Sequence, residues 1–328
     1  MRPERERHGE VGAALLTVLM LVAVIAVMAG TALEKLRLST RLAGNAAAIE
    51  ASRGYARAAE TLALGRINSL LGQDASRVTL AGGWSGKPFG MPLPGGGTAV
   101  ARVADGGNCF NLNGLVNRTG PGVYTSNGAA RLQFARLMQL LDIPGQSAEG
   151  IAAAAADWID SDGDQQAMGA EDGTYLGQVP GYRTAGTLMA DPSELRAVHG
   201  VTPAIYARLR PWLCTLPVAE PARINVNTLL PEQAPLLAML MPATAGVEVA
   251  RQALLRRPPQ GFDSIDKFWA MPGFASGGGD TGQTAVTTTW FNLDIGVNLG
   301  GAALEQHGLI DATHLPARLV TRQWGEAT

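Results

Sequence analysis

The stretch VGAALLTVLMLVAVIAVMAGTAL, residues 11–33, contains no charged side chain and lies close to the start of the chain. A helix rises about 1.5 Å per residue, so about 20 apolar residues span the roughly 30 Å hydrocarbon core of a bilayer. The stretch therefore predicts a membrane anchor. Residues 34–72 continue without proline in a helical pattern, so we expect one helix of about 60 residues.

Two other interpretations of this stretch stay open. A secretory signal peptide has an apolar core of only about 7–15 residues and ends at a small-x-small cleavage site, which residues 29–32 could imitate. A plain single-pass anchor is the other interpretation. The flanking charges do not settle the orientation, because the positive-inside rule counts three basic residues on each side. They are Arg2, Arg5 and Arg7 before the stretch, and Lys35, Arg37 and Arg41 after it.

The composition limits the class of protein. A chain of 328 residues is long enough for two domains, or for one elaborated domain, in addition to the helix. A net charge of −2 lacks the basic excess of a typical nucleic-acid-binding protein. The two cysteines, Cys109 and Cys214, lie well beyond the apolar stretch. If that part lies outside the cytosol, the even count favours one disulfide, and the alternative is two buried free thiols.

Beyond the long helix, the pattern predicts strands, then a block of helices, then strands again. Alternation at 98–103 and 315–324, and a β-rich run at 286–297, predict strands that can share one sheet although the helical block separates them. The predicted helices lie at residues 128–141, 148–158, 193–199, 203–212, 231–240 and 246–255. A weak internal similarity links FNLNGL at 110–115 with INVNTL at 224–229, but two copies do not establish a repeat.

The acidic stretch DWIDSDGDQQAMGAEDGTYL, residues 157–176, is the strongest chemical signal beyond the long helix. Carboxylates packed this densely repel one another unless a cation neutralises them, and Ca²⁺ prefers oxygen ligands. The candidate metal ligands are Asp160, Asp162, Asp164, Glu171 and Asp172.

Three interpretations of this acidic loop remain: an EF-hand loop, a looser calcium site and a solvated polar turn. Counting from Asp160, Glu171 falls at the twelfth position, as in an EF-hand. Gln165 stands at the sixth position, where that loop needs glycine, which speaks against a true EF-hand. We expect Asp157 to be a helix-face residue rather than a ligand.

The start of the chain resembles the precursors of type IV pilin-like proteins. A short charged leader ends in Gly12, and AALLTVLMLVAV follows at residues 13–24. In that family a prepilin peptidase cuts after the glycine and methylates the new amine, which implies processing between Gly12 and Ala13. Gly9 is a competing site that matches the family less well.

Most members of the pilin-like family carry glutamate as the fifth mature residue, where this chain has Thr17. A carboxylate inside an apolar bundle is costly unless it meets a partner charge, which in assembled pilins is the terminal amine of a neighbouring subunit. One interpretation is that the Thr17 hydroxyl simply bonds its own helix backbone. The functional interpretation is that this subunit has no subunit above it and stands at the tip of a filament.

The lack of this glutamate, with a set of short stretches in order along the chain, resembles the K minor pseudopilin family (GspK) of the type II secretion system. The stretches are GAALLTVLMLVAV at 12–24, CFNLN at 109–113, DWIDSDGD at 157–164, GAEDGTYL at 169–176, SELRAVHGV at 193–201, INVNTL at 224–229 and TRQWG at 321–325. Each stretch is weak alone, whereas the set covers the chain from end to end.

This resemblance implies an α+β, pilin-like fold, with a long N-terminal transmembrane helix packed on a small antiparallel sheet and a large all-α insertion. The implied leader is 1–12, and the implied helix is 13–72, with its transmembrane part at about 13–33. The pilin β-sheet region would comprise 73–124 and 284–328, and a SAM-like helical head 125–283. The family also implies a looser Ca²⁺ site at the acidic loop. We expect the predicted Cys109–Cys214 bridge to join the head to the sheet side.

The function implied by the resemblance is that of a minor pseudopilin at the tip of the pseudopilus, supporting pseudopilus assembly and protein export across the outer membrane. The chain would cross the inner membrane of a Gram-negative bacterium once, with its bulk in the periplasm. Its expected partners are the I and J minor pseudopilins and the prepilin peptidase, with no nucleic acid.

A rival function comes from residues 224–240 and 261–273, which also look like helix-hairpin-helix sequence. They suggest a membrane-anchored DNA-uptake or DNA-binding protein, although the net charge of −2 and the acidic loop oppose it. The candidate basic patch comprises Arg251, Arg256, Arg257 and Lys267. An enzyme is not expected, because the sequence has no metal-spaced histidine pair, no GxSxG and no P-loop.

Overall fold

The structure, a computed structural model, describes residues 7–94, 96–242, 246–272, 274 and 281–325. Residues 1–6 of the predicted leader and 326–328 of the predicted sheet region lie outside the described residues. The helices are α1 Arg7–Gln73, α2 Gly128–Leu140, α3 Gly145–Ile159, α4 Asp172–Leu176, α5 Pro203–Leu209, α6 Ala234–Ala238, α7 Val247–Leu255 and α8 Ile265–Trp269. The strands are β1 Phe89–Leu93, β2 Gly97–Asp105, β3 Phe110–Asn111, β4 Val116–Gly120, β5 Val123–Ser126, β6 Leu213–Cys214, β7 Ile224–Asn225, β8 Thr284–Ala285, β9 Trp290–Leu299, β10 Ala302–Asp311 and β11 Arg318–Trp324.

The first helix, α1, is continuous over 67 residues and covers the predicted helix 13–72. Its most apolar 18-residue window has a mean hydropathy of 2.7 and no buried side chain. By length and composition this part of α1 can cross a membrane.

The chain divides into two compact units. One comprises Met1–Ala58, Gly90–Ala99 and Gly296–Leu304, and the other comprises Ala59–Phe89, Val100–Ile295 and Glu305–Thr328. The acidic loop, the disulfide and the helical block all belong to the second unit.

The main sheet has five strands in the order β1-β2-β9-β10-β11. Strands β9 and β10 form a hairpin through Gly300 and Gly301, whose φ angles of 59° and 83° suit the two-residue turn that such a hairpin requires. Strand β11 pairs antiparallel with β10. This sheet and the long helix confirm the predicted pilin-like α+β fold.

The second unit holds the end of α1 against the sheet through apolar and polar contacts. Ala63 and Ile67 are buried on the helix face. Glu60 accepts hydrogen bonds from Arg322 of β11 (Nη2–Oε1 2.9 Å) and from Gln306 of β10 (Nε2–Oε2 3.2 Å). Asn68 accepts from the backbone N–H of Ala317 at 2.8 Å. These polar contacts set the position of the helix along the strands.

The helical block between β2 and β9 surrounds a large apolar core that includes Phe134, Leu137 and Ile159. Three two-stranded sheets accompany its helices: β3 with β6 and β7 with β8 pair parallel, and β4 with β5 pair antiparallel. The predicted helices at 193–199 and 231–240 are largely 3₁₀ turns, at Pro192–Ala197 and Pro231–Gln233, the second followed by the short α6. Proline begins both turns, which start within one residue of the predicted helix starts.

Candidate functional site

The acidic loop begins where α3 ends. Asp160 is the C-terminal cap residue of α3 and is 1% exposed. Its backbone N–H donates to the carbonyl of Ala156 at 2.9 Å. Neither oxygen of its carboxylate has a hydrogen-bond donor within the described part of the chain. A buried carboxylate without a partner costs several kcal/mol or takes up a proton, so this side chain needs a cation or a raised pKa.

Glu171, the cap residue before α4, is the second buried carboxylate of the loop. Its Oε2 accepts from the backbone N–H of Asp172 at 3.3 Å, whereas its buried Oε1 has no donor among the described residues. Asp160 and Glu171 together leave three buried oxygen atoms without a partner. Such a set is what a hard cation could satisfy.

The electrostatics of the loop agree with this geometry. Burial raises the pKa of Asp160 to about 7, and the negative charges of Asp162, Asp157 and Glu171 add to the effect. Burial also raises the pKa of Glu171. The carboxylates of the loop therefore repel one another, and a bound cation would reduce this repulsion.

The remaining predicted ligands are not aimed at one point. Asp162 and Asp164 are exposed, and Asp162 Oδ1 accepts from the backbone N–H of Asp164 at 3.0 Å. Asp172 pairs with Arg183 and accepts from the backbone N–H of Thr184 at 3.0 Å. The bond from Thr184 is the main reason that the pKa of Asp172 is lowered. Among the residues that the structure describes, no three acidic, histidine or cysteine side chains converge closely enough to hold an ion.

Asp157 shapes the loop from within. This fully buried carboxylate accepts from the backbone N–H groups of Gln166 (3.2 Å) and Ala170 (2.8 Å), and burial raises its pKa to about 6. A Cβ atom on Gly169 would lie 2.0 Å from Asp157 Oδ2, so glycine is required there. Asp157 is thus an internal hydrogen-bond acceptor, a role that its placement on a helix face did not reveal.

The two similar stretches of the sequence form the same hydrogen-bonded turn. Asn111 Oδ1 accepts from the backbone N–H of Asn113 at 3.3 Å, and Asn225 Oδ1 accepts from that of Asn227 at 3.0 Å. All four side chains are buried. The short strands β3 and β7, which contain the first asparagine of each pair, each join a parallel partner strand.

Asp105 is a half-buried carboxylate that no sequence pattern singled out. It accepts hydrogen bonds from Thr288 Oγ1 (2.8 Å), the backbone N–H of Gly107 (2.9 Å) and Thr228 Oγ1. Burial raises its pKa. Because residues distant in sequence supply most of its donors, it joins the end of β2 to the β7 turn and to the approach to β9.

The two cysteines form a disulfide, with 5.8 Å between the Cα atoms of Cys109 and Cys214. The bridge lies beside the β3–β6 pair, in which Asn111 faces Cys214. It closes a loop with a sequence separation of 105 residues.

Three of the four residues of the candidate basic patch contact carbonyl or carboxylate oxygens, and the fourth, Arg256, is exposed. Arg257 turns inward, and its Nη1 donates to the carbonyls of Val226 (2.9 Å) and Leu229 (2.7 Å). Lys267 pairs with Asp263, and Arg251 lies 3.7 Å from Glu248. The DNA-binding alternative is therefore not supported.

Thr17 lies on the apolar part of α1. Its hydroxyl Oγ1 donates to the carbonyl of Ala14 at 2.8 Å, so the side chain bonds its own helix. Thr31 makes the same kind of bond to the carbonyl of Met28 at 3.0 Å. The fifth residue after Gly12 therefore offers no charge and no unused donor to a neighbouring chain.

Comparisons with known proteins agree on one family. Two family models, both described as type II secretion system (T2SS), protein K, match residues 108–218 and 224–289. The chain is 33% identical to the type II secretion system protein K of Klebsiella pneumoniae over 97% of each chain. It is 31% identical to that of Pectobacterium carotovorum subsp. carotovorum, over 97% of this chain and 98% of the relative.

A solved structure is also similar. A chain in the crystal structure of the GspK-GspI-GspJ complex of enterotoxigenic Escherichia coli superposes with a TM-score of 0.73 at 30% sequence identity. The match covers 84% of this chain and 96% of that chain.

Proposed function

The chain belongs to the type II secretion system protein K family, the K minor pseudopilins, and we propose that it stands at the tip of the pseudopilus. The observation that supports this proposal is Thr17, whose side-chain hydroxyl donates to the carbonyl of Ala14 in its own helix. A neutral side chain at this place cannot neutralise the terminal amine of a subunit stacked above it. A tip subunit has no such neighbour, so threonine in place of the usual glutamate costs it no contact.

The proposed activity is assembly and contact, in support of pseudopilus formation and protein export across the outer membrane, rather than turnover of a substrate. The similar solved structure is a complex of GspK with GspI and GspJ. We therefore propose that this chain assembles with the I- and J-type minor pseudopilins of its own secretion system.

The maturation that we propose starts with cleavage between Gly12 and Ala13 by a prepilin peptidase, which methylates the new amine. The exposed apolar part of α1 supports retention of the helix, first in the inner membrane with the bulk of the chain in the periplasm, and then in the filament core. The proposed regions are a leader at 1–12, the helix at 13–72, the sheet region at 73–124 and 284–328, and the head at 125–283.

We also propose that the acidic loop binds Ca²⁺. Asp160 and Glu171 support this, because their three buried oxygens have no donor within the described residues. Asp162 and Asp164 are near enough in sequence to add exposed oxygen ligands. Asp172 would first have to leave Arg183, so it contributes least. The cation would supply the positive charge that the loop lacks.

One genetic experiment tests the assignment. In the bacterium that makes this protein, deletion of its gene should stop type II secretion, and expression of the wild-type chain should restore it. Gly12→Leu should fail to restore secretion and should keep its leader, because a bulky residue blocks the cut. The matched variant Gly9→Leu should be processed and active. Full secretion with an unprocessed Gly12→Leu chain would refute the proposed maturation, and normal secretion without the gene would refute the function.

A further inference from the structure

A cavity of about 390 Å³ lies beside the last turns of α1 and has no role in the function described above. Its wall is formed by α1, the loop that follows it and the first two strands. The lining side chains that matter here are Arg66, Leu70, Trp84, Lys87, Phe89 and Val103. A volume of this size is typical of pockets that accept a ligand group.

The cavity carries positive charge on an apolar base. The guanidinium carbon of Arg66 lies 4.0 Å from the centroid of the Phe89 ring, a cation–π contact that holds the side chain in place. Lys87 is exposed on the following loop. In the described ranges, no acidic side chain pairs with Arg66 or Lys87. A guanidinium fixed by stacking keeps its N–H edge available for a carboxylate.

The apolar wall is preformed. Trp84 Nε1 donates to the carbonyl of Thr79 at 2.7 Å, and its ring lies edge-on to Phe291 with 5.6 Å between the centroids. The backbone N–H of Gly86 donates to the carbonyl of Val103 at 2.7 Å, which ties the loop to β2. A preformed wall loses little conformational entropy when a ligand binds.

The position of the cavity favours a protein partner. Phe89 begins β1, one of the two edge strands of the main sheet, so this part of the cavity lining lies at an edge of the sheet. Arg66 lies about 50 Å along the helix from the end of the apolar stretch, too far for a lipid headgroup when that stretch spans the bilayer. Two cations above an apolar base complement a carboxylate that stands next to an apolar side chain.

We propose that this cavity binds an acidic segment of a partner pseudopilin, with a carboxylate between Arg66 and Lys87 and an apolar side chain against Trp84 and Leu70. The inference rests on the proposed function, which supplies the I- and J-type subunits as partners. It adds where on this chain one of these subunits docks. It also states which groups that subunit must present, namely a carboxylate next to an apolar side chain.

The test uses the full-length chain in detergent together with its own I- and J-type subunits, and measures the dissociation constant. Arg66→Glu/Lys87→Glu should weaken binding about ten-fold or more, because both charge-assisted contacts become repulsive. Lys87→Glu alone changes only an exposed side chain, so it tests the charge without risk to the fold, and it should weaken binding less. Arg102→Glu is the matched control, because Arg102 is exposed and its strand neighbour Val103 points to the opposite face.

Wild-type affinity in the double variant and in Lys87→Glu, with Arg102→Glu also unchanged, would overturn the inference and leave the proposed function standing. An equal loss in all three variants would overturn it as well, since a general charge effect would then explain the result. If the wild-type chain itself bound neither partner, the proposed assembly would fail, and the docking site with it.

Discussion

Asn113 and Asn227 make the same kind of long-range contact. Each side-chain amide accepts one hydrogen bond from the backbone of a residue distant in the sequence and donates another to it. Asn113 accepts from the N–H of Met189 at 2.7 Å and donates to its carbonyl at 3.0 Å. Asn227 does the same with Phe262, at 2.7 and 2.9 Å. The similarity between residues 110–115 and 224–229 is therefore a shared hydrogen-bonded turn, and each family-model match begins at or just before one copy.

We expect Asn113→Asp and Asn227→Asp each to lower the free energy of unfolding by about 1–3 kcal/mol or more. Aspartate keeps the accepting oxygen but cannot donate to the carbonyl of Met189 or Phe262, so that carbonyl loses a buried bond. Urea unfolding of the full chain in detergent, followed by tryptophan fluorescence, measures the change. Asn298→Asp, on the exposed face of β9, should change stability little. If all three variants were as stable as the wild type, the two turns would not contribute to the stability of the helical block.

Calcium should raise the melting temperature of the wild-type chain, and chelation should lower it. A ligand that binds only the folded state adds about 2.7 kcal/mol at a concentration of 100 times its dissociation constant. Asp160→Asn should lose most of this response, because it removes the charge of a buried carboxylate whose two oxygens have no hydrogen-bond donor among the described residues. Glu149→Gln, an exposed change on the same helix α3, should respond as the wild type does. A melting temperature that calcium leaves unchanged up to millimolar concentrations would remove the metal proposal.

The calcium-free chain should lose stability as the pH rises from about 4 to about 7. Burial raises the pKa of folded Asp160 from 3.8 to about 7, so the folded state keeps a proton that the unfolded state has already released. This contribution to the free energy of unfolding is complete below about pH 4, declines up to about pH 7 and is then constant. The quantity to measure is the stability difference between wild type and Asp160→Asn across this range, with a chelator present. A difference that rises with pH, or does not change, would contradict the assigned environment of Asp160.

Removal of the disulfide should destabilise the chain substantially. A bridge across 105 residues is worth up to about 4.7 kcal/mol if it acts by restricting the unfolded state. Cys109→Ser/Cys214→Ser should therefore unfold at lower urea concentration than the wild type. Reduction of the wild type should cause a similar loss and should leave the double variant unaffected. If reductant left wild-type stability unchanged, the bridge would not be a structural one.

Local patterns predicted the long elements well. The uncharged stretch and the helical pattern after it correspond to α1, and the alternation at 98–103 falls inside β2, Gly97–Asp105. The β-rich run at 286–297 begins too early, because β9 starts at Trp290. Thr288 instead turns its hydroxyl toward Asp105, a contact between residues 183 positions apart that no local pattern contains.

In the candidate site, too, the sequence predicted the local features but not the contacts between distant residues. The acidic loop is visible in the sequence because like charges are crowded there, but the sequence does not tell that Asp160 and Glu171 are buried while Asp172 is paired with Arg183. The prediction of a basic patch was wrong for Arg257, because the carbonyls of Val226 and Leu229 draw its guanidinium inward. Such long-range partners are set by the packing of the whole chain, so periodicity and spacing do not reveal them.

The most direct test of the pseudopilin account is the intact mass and N-terminal sequence of the chain purified from the membrane of a bacterium with an active type II secretion system. The account predicts a chain that starts at Ala13, carries one methyl group on its amine and still contains the apolar helix. A product that starts at Met1, or one that has lost the helix and starts near Thr31 or Leu33, would contradict it.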